Sequence, residues 1–489
     1  MKTEDQIVKK DTEILSKYKY KQELKRTLGF FSVFAFAFSA ISLTTGIFQN
    51  YAFVMTTIGP LGIWTFPIVG IGSIIVAMIF GEISTHVPIT GHCYMWVSKL
   101  HSKGMGWMIG WINFCFLIII LPSIDNSLAP VVASVLNIPI TSTNLMLIAE
   151  IALTLQLLLN VFSVKISSLI NSAATVTESV GVLLLTILLL FCAFHNGTSV
   201  TKLTEVNASV SGNPLFAPIL MSFLMGFYTL VGFESAANMS DETHNAVHNV
   251  PRAMIIAIGA STIFGTLFLI AAVLATKNLD AVVKSSSPLP LIIESNLGPV
   301  VGKLFLIVVI ASIFACGLVF MTSASRTVFA MSRDEAFFAS GLFKKVSKKT
   351  STPIAACILF WVIGTAFMVT TTPTVLSTAC AAMPSLYYLL TIICYALVRK
   401  NLKAQPGNFT LGKMGWPLII IAIAWLTFGF CIMSIPSDFQ SATLINVVLI
   451  SIGVVLYFVY FRKKIAGTEP EQRLNVTVPS SIALSEPND

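Results

Sequence analysis

Long runs of apolar residues constrain this chain more than any other feature of its sequence. A helix needs about 20 apolar residues to cross the hydrocarbon core of a bilayer. Only 11% of the residues are charged, against about 25% in soluble domains. The sequence therefore predicts an all-α polytopic membrane protein with twelve transmembrane helices, near residues 29–55, 61–85, 105–135, 142–163, 166–194, 215–238, 252–276, 301–331, 353–372, 374–398, 415–435 and 441–461.

Positive charge is concentrated in alternate segments between these runs. Lysines and arginines crowd the first 28 residues, the segments near 99–103, 333–349 and 399–413, and residues 462–464. Because cytoplasmic segments of membrane proteins carry the excess of lysine and arginine, both termini are predicted to be cytoplasmic. The net charge of +8 follows from this topology, so binding to nucleic acid is not predicted.

The predicted organisation has three parts. Residues 1–28 form a cytoplasmic N-terminal segment, residues 29–465 form the twelve-helix domain, and residues 466–489 form a polar tail that is predicted to be disordered. The eight cysteines are scattered without metal-ligand spacing, so neither a metal site nor a disulfide framework is predicted. Without a phosphate-binding glycine loop or a catalytic motif, the sequence predicts no enzyme activity and no cofactor.

The sixth apolar run is interrupted by residues that a simple membrane anchor does not need. Between Phe223 and Glu242 it contains Gly226 and Gly232, and Glu234 lies two residues after the second glycine. A glycine costs a helix about 1 kcal/mol relative to alanine, and a carboxylate at the bilayer centre costs about 2.5 to 3.5 kcal/mol. The glycines alone are equally consistent with close helix packing, but together with the glutamate they favour an interrupted helix that lines a polar cavity.

The first apolar run contains a second irregular stretch, with Ser42, Thr44, Thr45 and Gly46 close together. Small hydroxyl residues are also compatible with ordinary helix packing. The first and sixth runs correspond, however, if two five-helix halves repeat with inverted orientation. Interrupted segments at matching places in two halves indicate the binding site of a transporter.

Ionisable residues inside the apolar runs are candidates for function. Burial favours the protonated form of a carboxylic acid, so Glu178 and Glu234 are candidate proton carriers. Three alternatives are a protonated glutamate that bonds to a neighbouring helix, a site for Na⁺, and a site for a cationic substrate. Glu150 is a weaker candidate, Arg326 is the main cation expected to be buried, and Asp125, near the outer end of its run, is expected to be solvated.

Charged residues also flank the cytoplasmic ends of several runs. They are candidates for an ion-pair gate on the inner side of the membrane, and the alternative is that they are solvated charges. The candidate gate residues are Arg26, Glu82, Asp241, Glu242, Arg333 and Asp334.

Three motifs in order resemble the amino acid, polyamine and organocation (APC) superfamily. They are GEIS at 81–84, GFESAA at 232–237, and SRT at 325–327 followed by FAMSRD at 329–334. The second motif looks most like the amino acid and choline transporter branch. The similarity covers roughly residues 29–465.

The resemblance implies a five-plus-five inverted repeat with broken helices 1 and 6. It also implies that substrate is held at the two helix breaks and is exposed alternately to each side of the membrane. The implied substrates are amino acids and related amines, including γ-aminobutyrate, choline and polyamines. Amides at the first break would meet a carboxylate, and carbonyls at the sixth-helix break would meet an ammonium group, with Tyr228 offering a cation–π face. The matching residues are Thr44, Thr45, Gly46 and Ile47, with Ser42 beside them, and Tyr228, Thr229, Leu230, Val231 and Gly232.

Four further residues lie at depths suited to lining the same cavity: Asn113, Cys316, Met383 and Tyr387. One departure from the family pattern concerns coupling. Many relatives carry a lysine about eighteen residues after an asparagine of the fifth helix, in the role of a coupling cation. Counting from Asn160, this chain has Glu178 there, so a lysine-based mechanism does not transfer.

We therefore predict a secondary active transporter of the plasma membrane that imports an amino acid or related amine, with H⁺ as the coupling ion. One alternative is an exchanger of substrate against product, for amino acids or polyamines. A different class is a nutrient sensor built on a transporter fold. A sensor is expected to carry a long cytoplasmic extension, whereas each terminal segment here has fewer than thirty residues.

Overall fold

A computed structural model describes residues 26–162, 164–207, 214–285, 287–347, 349–350, 352–402 and 408–466. Nearly all of the N-terminal segment, and the tail from residue 467 onward, lie outside the described residues, so the disorder of the tail stays a prediction. The described part is helical, and its one pairing of β type is an isolated parallel bridge between Leu28 and Thr243. The predicted all-α class is confirmed.

The described α-helices are numbered here in chain order. A five-residue π-helix, Tyr457–Phe461, lies between the last two. The long helix Pro288–Arg333 is interrupted at Gly298, whose backbone is not helical (φ 78°, ψ 168°). The helices are α1 Phe30–Ile41, α2 Leu43–Thr57, α3 Thr65–His86, α4 His92–Leu100, α5 Lys103–Leu136, α6 Ser142–Phe162, α7 Val164–His195, α8 Phe216–Thr229, α9 Ser235–Asn238, α10 Ala246–Ala275, α11 Leu279–Lys284, α12 Pro288–Arg333, α13 Ser340–Phe343, α14 Ile354–Thr370, α15 Pro373–Arg399, α16 Gly415–Ser434, α17 Gln440–Leu456 and α18 Arg462–Ala466.

Ten helical stretches of the described residues are long and apolar enough to cross a bilayer. Two further apolar helices, Phe216–Thr229 and Ile354–Thr370, are shorter. Burial distinguishes the centre from the periphery: 94% of the most apolar window of Lys103–Leu136 is buried, against 17% for Ser437–Ile465. Helix α5 therefore lies at the centre, packed against α12 and α15, and the last span lies at the edge.

The first apolar run is divided into α1 and α2 by a single residue, Ser42. Its backbone has φ 34° and ψ 92°, a conformation with positive φ that a residue other than glycine adopts rarely. The Ser42 side chain stabilises this turn, because its Oγ accepts a hydrogen bond from the Thr45 N–H at 3.3 Å. A serine at this position therefore both ends α1 and caps α2.

The sixth apolar run is interrupted between Thr229, where α8 ends, and Ser235, where α9 begins. Gly232 lies in this interruption with φ 84°. A Cβ atom on Gly232 would lie 2.9 Å from a ring atom of Phe320 and 3.2 Å from the Cβ of Ala40. The position thus needs glycine both for its backbone conformation and for its close packing.

A buried ion pair joins α12 to the polar segment that follows α9. The Nε of Arg326 lies 3.1 Å from the Glu242 Oε1, and the exposed fractions of the two side chains are 0% and 3%. The expected burial of Arg326 is confirmed. Lys344 and Glu335 also form an ion pair, but their side chains are 46% and 44% exposed, so water screens that pair.

Removing one partner from each ion pair should affect stability very differently. Arg326→Met leaves Glu242 buried without its cation, which costs about 3 to 5 kcal/mol. Lys344→Met breaks the exposed pair and should cost about 1 kcal/mol or less. Thermal unfolding of the two purified variants in detergent measures the difference. Equal falls in melting temperature would contradict the assignment of Arg326 and Glu242 as a structural pair.

Candidate functional site

The two helix breaks face one small cavity in the centre of the molecule. Its volume is about 10 Å³, about the room that a single water molecule needs. Both halves of the first run, the sixth run, α5 and α12 contribute to its wall. The lining residues are Ala40, Ile41, Thr45, Gly46, Ile120, Ile124, Tyr228, Val231, Cys316 and Phe320.

The first and sixth runs approach each other closely at Gly46. A Cβ atom there would lie 2.0 Å from the Thr229 Oγ1 and 2.5 Å from the Thr229 Cβ. Thr229 cannot turn its hydroxyl freely out of the way, because it donates a hydrogen bond to the Met225 carbonyl at 2.6 Å. Gly46 therefore allows α2 and α8 to touch beside the cavity.

The N-terminus of α2 holds the carboxylate of Glu178, which lies on α7. The N–H and Oγ1 of Thr44 donate to the Glu178 Oε1 at 3.4 and 3.2 Å. The next two amides donate to Ser42, Thr45 to the side chain at 3.3 Å and Gly46 to the carbonyl at 3.2 Å. The amides that sequence reasoning assigned to a substrate carboxylate are thus bonded to protein oxygens in this conformation.

The same glutamate is connected to α12 through a hydroxyl network. The Thr44 Oγ1 also lies 2.8 Å from the Ser312 Oγ. On the other side of the break, the hydroxyls of Ser39 and Thr175 lie 2.8 Å apart, so α7 contacts both halves of the first run. Glu178 is buried, with 1% of its surface exposed. Because its carboxylate is bonded to the first break, a movement of this break would change its hydrogen bonds.

Glu234, at the second break, is bound by two tyrosines of α15. The Tyr387 hydroxyl donates to the Glu234 Oε1 at 2.7 Å, and the Tyr388 hydroxyl donates to Oε2. The N–H of Gly232 in turn donates to the Tyr388 oxygen at 3.3 Å. Glu234 therefore ties the sixth run to α15 and does not line the cavity.

The remaining predicted site residues divide into two groups. Thr45, Gly46, Tyr228, Val231 and Cys316 line the cavity. The others are buried without being part of its wall: Ser42, Thr44, Ile47, Asn113, Thr229, Leu230, Gly232, Met383 and Tyr387.

Two of these outcomes concern particular partners that the sequence did not suggest. Asn113 lies 3.2 Å from the His92 ring nitrogen, away from the cavity. The Tyr228 hydroxyl lies 2.9 Å from the Ser123 Oγ, which orients its ring at the cavity wall.

The expectation that Asp125 is solvated is wrong, because the structure buries this side chain completely.

Each of the predicted gate residues has at least one partner within the protein. Asp241 pairs with Arg333 at 3.1 Å, and Glu242 pairs with Arg326 as described above. The Arg26 Nη1 donates to the Thr243 carbonyl at 2.7 Å. Asp334 accepts a hydrogen bond from the Tyr94 hydroxyl at 2.9 Å.

Glu82 has different partners from the other candidate gate residues. It accepts hydrogen bonds from the Arg399 Nε at 3.0 Å, the Tyr395 hydroxyl at 2.8 Å and the Leu411 N–H at 3.0 Å. These contacts connect α3 to the end of α15 and to the segment that leads into α16. No sequence signal pointed to Arg399 as the partner, because more than 300 residues separate the two.

Comparison with known proteins identifies the family. A family model described as "Amino acid permease" matches residues 28–459. The chain belongs to the amino acid permease family. It is 29% identical over 450 residues to the amino-acid permease BAT1 of Arabidopsis thaliana, covering 85% of this chain and 87% of that protein.

Two fungal relatives of this permease carry narrower names. The GABA-specific permease of Saccharomyces cerevisiae is 26% identical over 475 residues, covering 88% of this chain and 80% of that protein. A putative polyamine transporter of Candida albicans is 24% identical over 511 residues, covering 95% and 90%. The predicted membership in the APC superfamily is confirmed, and the chain is a multi-pass membrane transporter and not an enzyme.

The close approach at Gly46 makes a specific prediction for this permease. Gly46→Ala forces α2 and α8 apart beside the cavity, and overpacking of this kind costs about 1 to 3 kcal/mol. We expect uptake of labelled amino acid into proteoliposomes to fall about tenfold or more. The matched control is Gly259→Ala in α10, where an added Cβ meets nothing within 4 Å. Equal uptake by the two variants would contradict the role of this contact.

Proposed function

We propose that this permease imports an amino acid or related amine across the plasma membrane together with protons. The proposal includes twelve membrane crossings, a five-plus-five inverted repeat and cytoplasmic termini. Ten long apolar helices, two shorter ones and the positive charge of alternate segments support this topology. The names of the relatives support amino acids, γ-aminobutyrate and polyamines as the substrate class.

The observation that carries proton coupling is the contact between Glu178 and the N-terminus of α2. An anion at a helix N-terminus is stabilised by the free N–H groups and by the helix dipole. A proton on Glu178 removes its negative charge and therefore weakens this contact. The Thr44 amide is then available to another anion.

For amino acids, including γ-aminobutyrate, the substrate carboxylate is that anion in our proposal, whereas polyamines and choline have no carboxylate and fall outside this coupling. Glu178 and the substrate compete for the same helix end, so a protonated Glu178 favours substrate binding. Linkage requires the converse as well: bound substrate favours the protonated form of Glu178. Proton and substrate consequently bind together, and an inward proton gradient drives import.

Glu234 is the second candidate for the proton carrier, and its contacts favour a different role. Both of its oxygens accept hydrogen bonds from tyrosines, Tyr387 and Tyr388. Protonation of Glu234 would therefore loosen its contact with α15 and would free no amide at the first break. We assign Glu234 to holding the second break against α15.

The inner gate in this proposal consists of the two ion pairs that close the cytoplasmic end of the sixth run. Asp241–Arg333 and Glu242–Arg326 join the segment after α9 to the end of α12. Opening towards the cytoplasm separates these two elements and exchanges protein contacts for water. Glu82 belongs to a static anchor instead, because one carboxylate holds donors from two separate segments.

Glu178→Gln tests the coupling. Glutamine mimics the protonated acid, so the variant should bind substrate but lose its response to the proton gradient. The measurement is uptake of labelled alanine, γ-aminobutyrate, putrescine and choline into proteoliposomes, with and without an inward proton gradient. Glu150→Gln is the matched control, because Glu150 is a half-buried carboxylate bonded to Thr365, and it should keep the gradient response.

The same assay separates the alternatives. Wild-type uptake that ignores the gradient but depends on substrate inside the vesicle would identify an exchanger. A gradient response that survives in Glu178→Gln would remove Glu178 as the proton carrier.

Glu234→Gln should behave differently from Glu178→Gln. Loss of the charge-assisted bonds to the two tyrosines loosens the second break, so we expect a lower maximal rate with the gradient response retained. Tyr388→Phe removes one of the same bonds and should reproduce the lower rate. If Glu234→Gln instead transports at the wild-type rate without any gradient response, Glu234 carries the proton.

A further inference from the structure

A further buried acid, Asp125 of α5, has no part in the proposed coupling. Its side chain is completely buried. One oxygen, Oδ1, accepts a hydrogen bond from the Gln156 Nε2 at 2.7 Å. The other, Oδ2, has no hydrogen-bond partner among the described residues, and neither has the Gln156 Oε1. Two hydrogen-bonded side chains, one on α5 and one on α6, thus each keep a buried acceptor oxygen for which the described residues supply no donor.

This pair lies directly behind the wall of the central cavity. Asp125 follows Ile124, which lines the cavity, and Ser123 bonds to the cavity residue Tyr228. On the other side, Gln156 packs against Gly317, where an added Cβ would lie 2.1 Å from its Nε2.

A cation with several hydrogen-bond donors would satisfy both of these acceptor oxygens. An isolated carboxylate inside a membrane protein is costly unless it is paired. No lysine or arginine forms an ion pair with Asp125 in the described part of the chain. A substrate ammonium group carries a positive charge and three N–H donors, which suits one carboxylate oxygen and one amide oxygen together.

We propose that Asp125 and Gln156 bind the terminal ammonium group of substrates that carry an amine remote from their carboxylate, or a second amine. The inference rests on the proposed transport function. γ-Aminobutyrate and putrescine have such a group. Alanine has none, and its single ammonium group lies next to its carboxylate. Asp125 therefore selects among substrates and does not couple the proton.

Asp125→Asn removes the charge and keeps the size and the bond to Gln156. In proteoliposomes we expect the KM for labelled putrescine and γ-aminobutyrate to rise about tenfold or more. The KM for alanine should change by less than about threefold. Asp125→Glu should recover part of the preference for amines. Asp280→Asn, the same exchange at an exposed position of α11, is the control and should change none of the three.

Gln156→Met provides a second variant in case Asp125→Asn does not fold. It removes the amide oxygen and should shift the same preference in the same direction. The inference is overturned if both variants change all three substrates alike, because Asp125 is then structural. It is also overturned if Na⁺, and not putrescine, raises the melting temperature of the wild type in a manner that Asp125→Asn abolishes.

Failure of the transport proposal has a different signature. Wild-type protein that takes up alanine but neither amine leaves transport intact and overturns the role of Asp125. Wild-type protein that takes up no member of the panel overturns both proposals.

Discussion

The structure depends on one constraint, that backbone N–H and C=O groups inside a membrane protein must find partners within the protein. A continuous helix meets it without help, whereas a broken helix exposes amides and carbonyls at the break. The first break is satisfied locally by Ser42 and at a distance by Glu178 on α7. At the second break, the Gly232 amide bonds to Tyr388 on α15.

These two solutions connect the breaks to different helices. The first run is held by α7 and, through Ser312, by α12, while the sixth run is held by α15. Gly46 brings the two runs into contact between these attachments. A movement of one run relative to the other must therefore exchange specific hydrogen bonds, and it cannot proceed as a gradual deformation. In the proposed mechanism, the breaks provide both the substrate site and the parts that have to move.

The sequence predicted the breaks because the residues that form them raise the free energy of a membrane helix at their own positions. Gly232 beside Glu234, and hydroxyl residues inside an apolar run, have this effect wherever they occur, so they can be recognised without a structure. Their partners cannot be recognised in this way. Tyr388 lies more than 150 residues from Glu234, and nothing in the sequence distinguishes it from Tyr387, which was selected for a different role.

The hydropathy of a segment also indicates that it lies in the membrane, but it does not indicate which of its side chains face lipid and which face the cavity. Ile120, Ile124 and Phe320 line the cavity, but in the sequence they are indistinguishable from isoleucines and phenylalanines that face lipid. Asp125 was expected to be solvated because it lies near the outer end of its run. Its side chain is buried because α5 is surrounded by other helices, a property of packing that no single segment encodes.

The sign of the charge at position 178 of α7 determines whether gaining or losing a proton would loosen the first break. A lysine at this position would be a donor, and its bonds to carbonyls would be strongest while it is protonated. Glu178 is an acceptor, and the bond that it accepts from the Thr44 amide is strongest while it is deprotonated. Losing a proton would therefore weaken the bonds of a lysine to the break, whereas gaining one would weaken those of Glu178. In the proposed mechanism the proton loosens the first break, and the end it frees is the positive end of a helix, where the carboxylate of an amino acid is best stabilised.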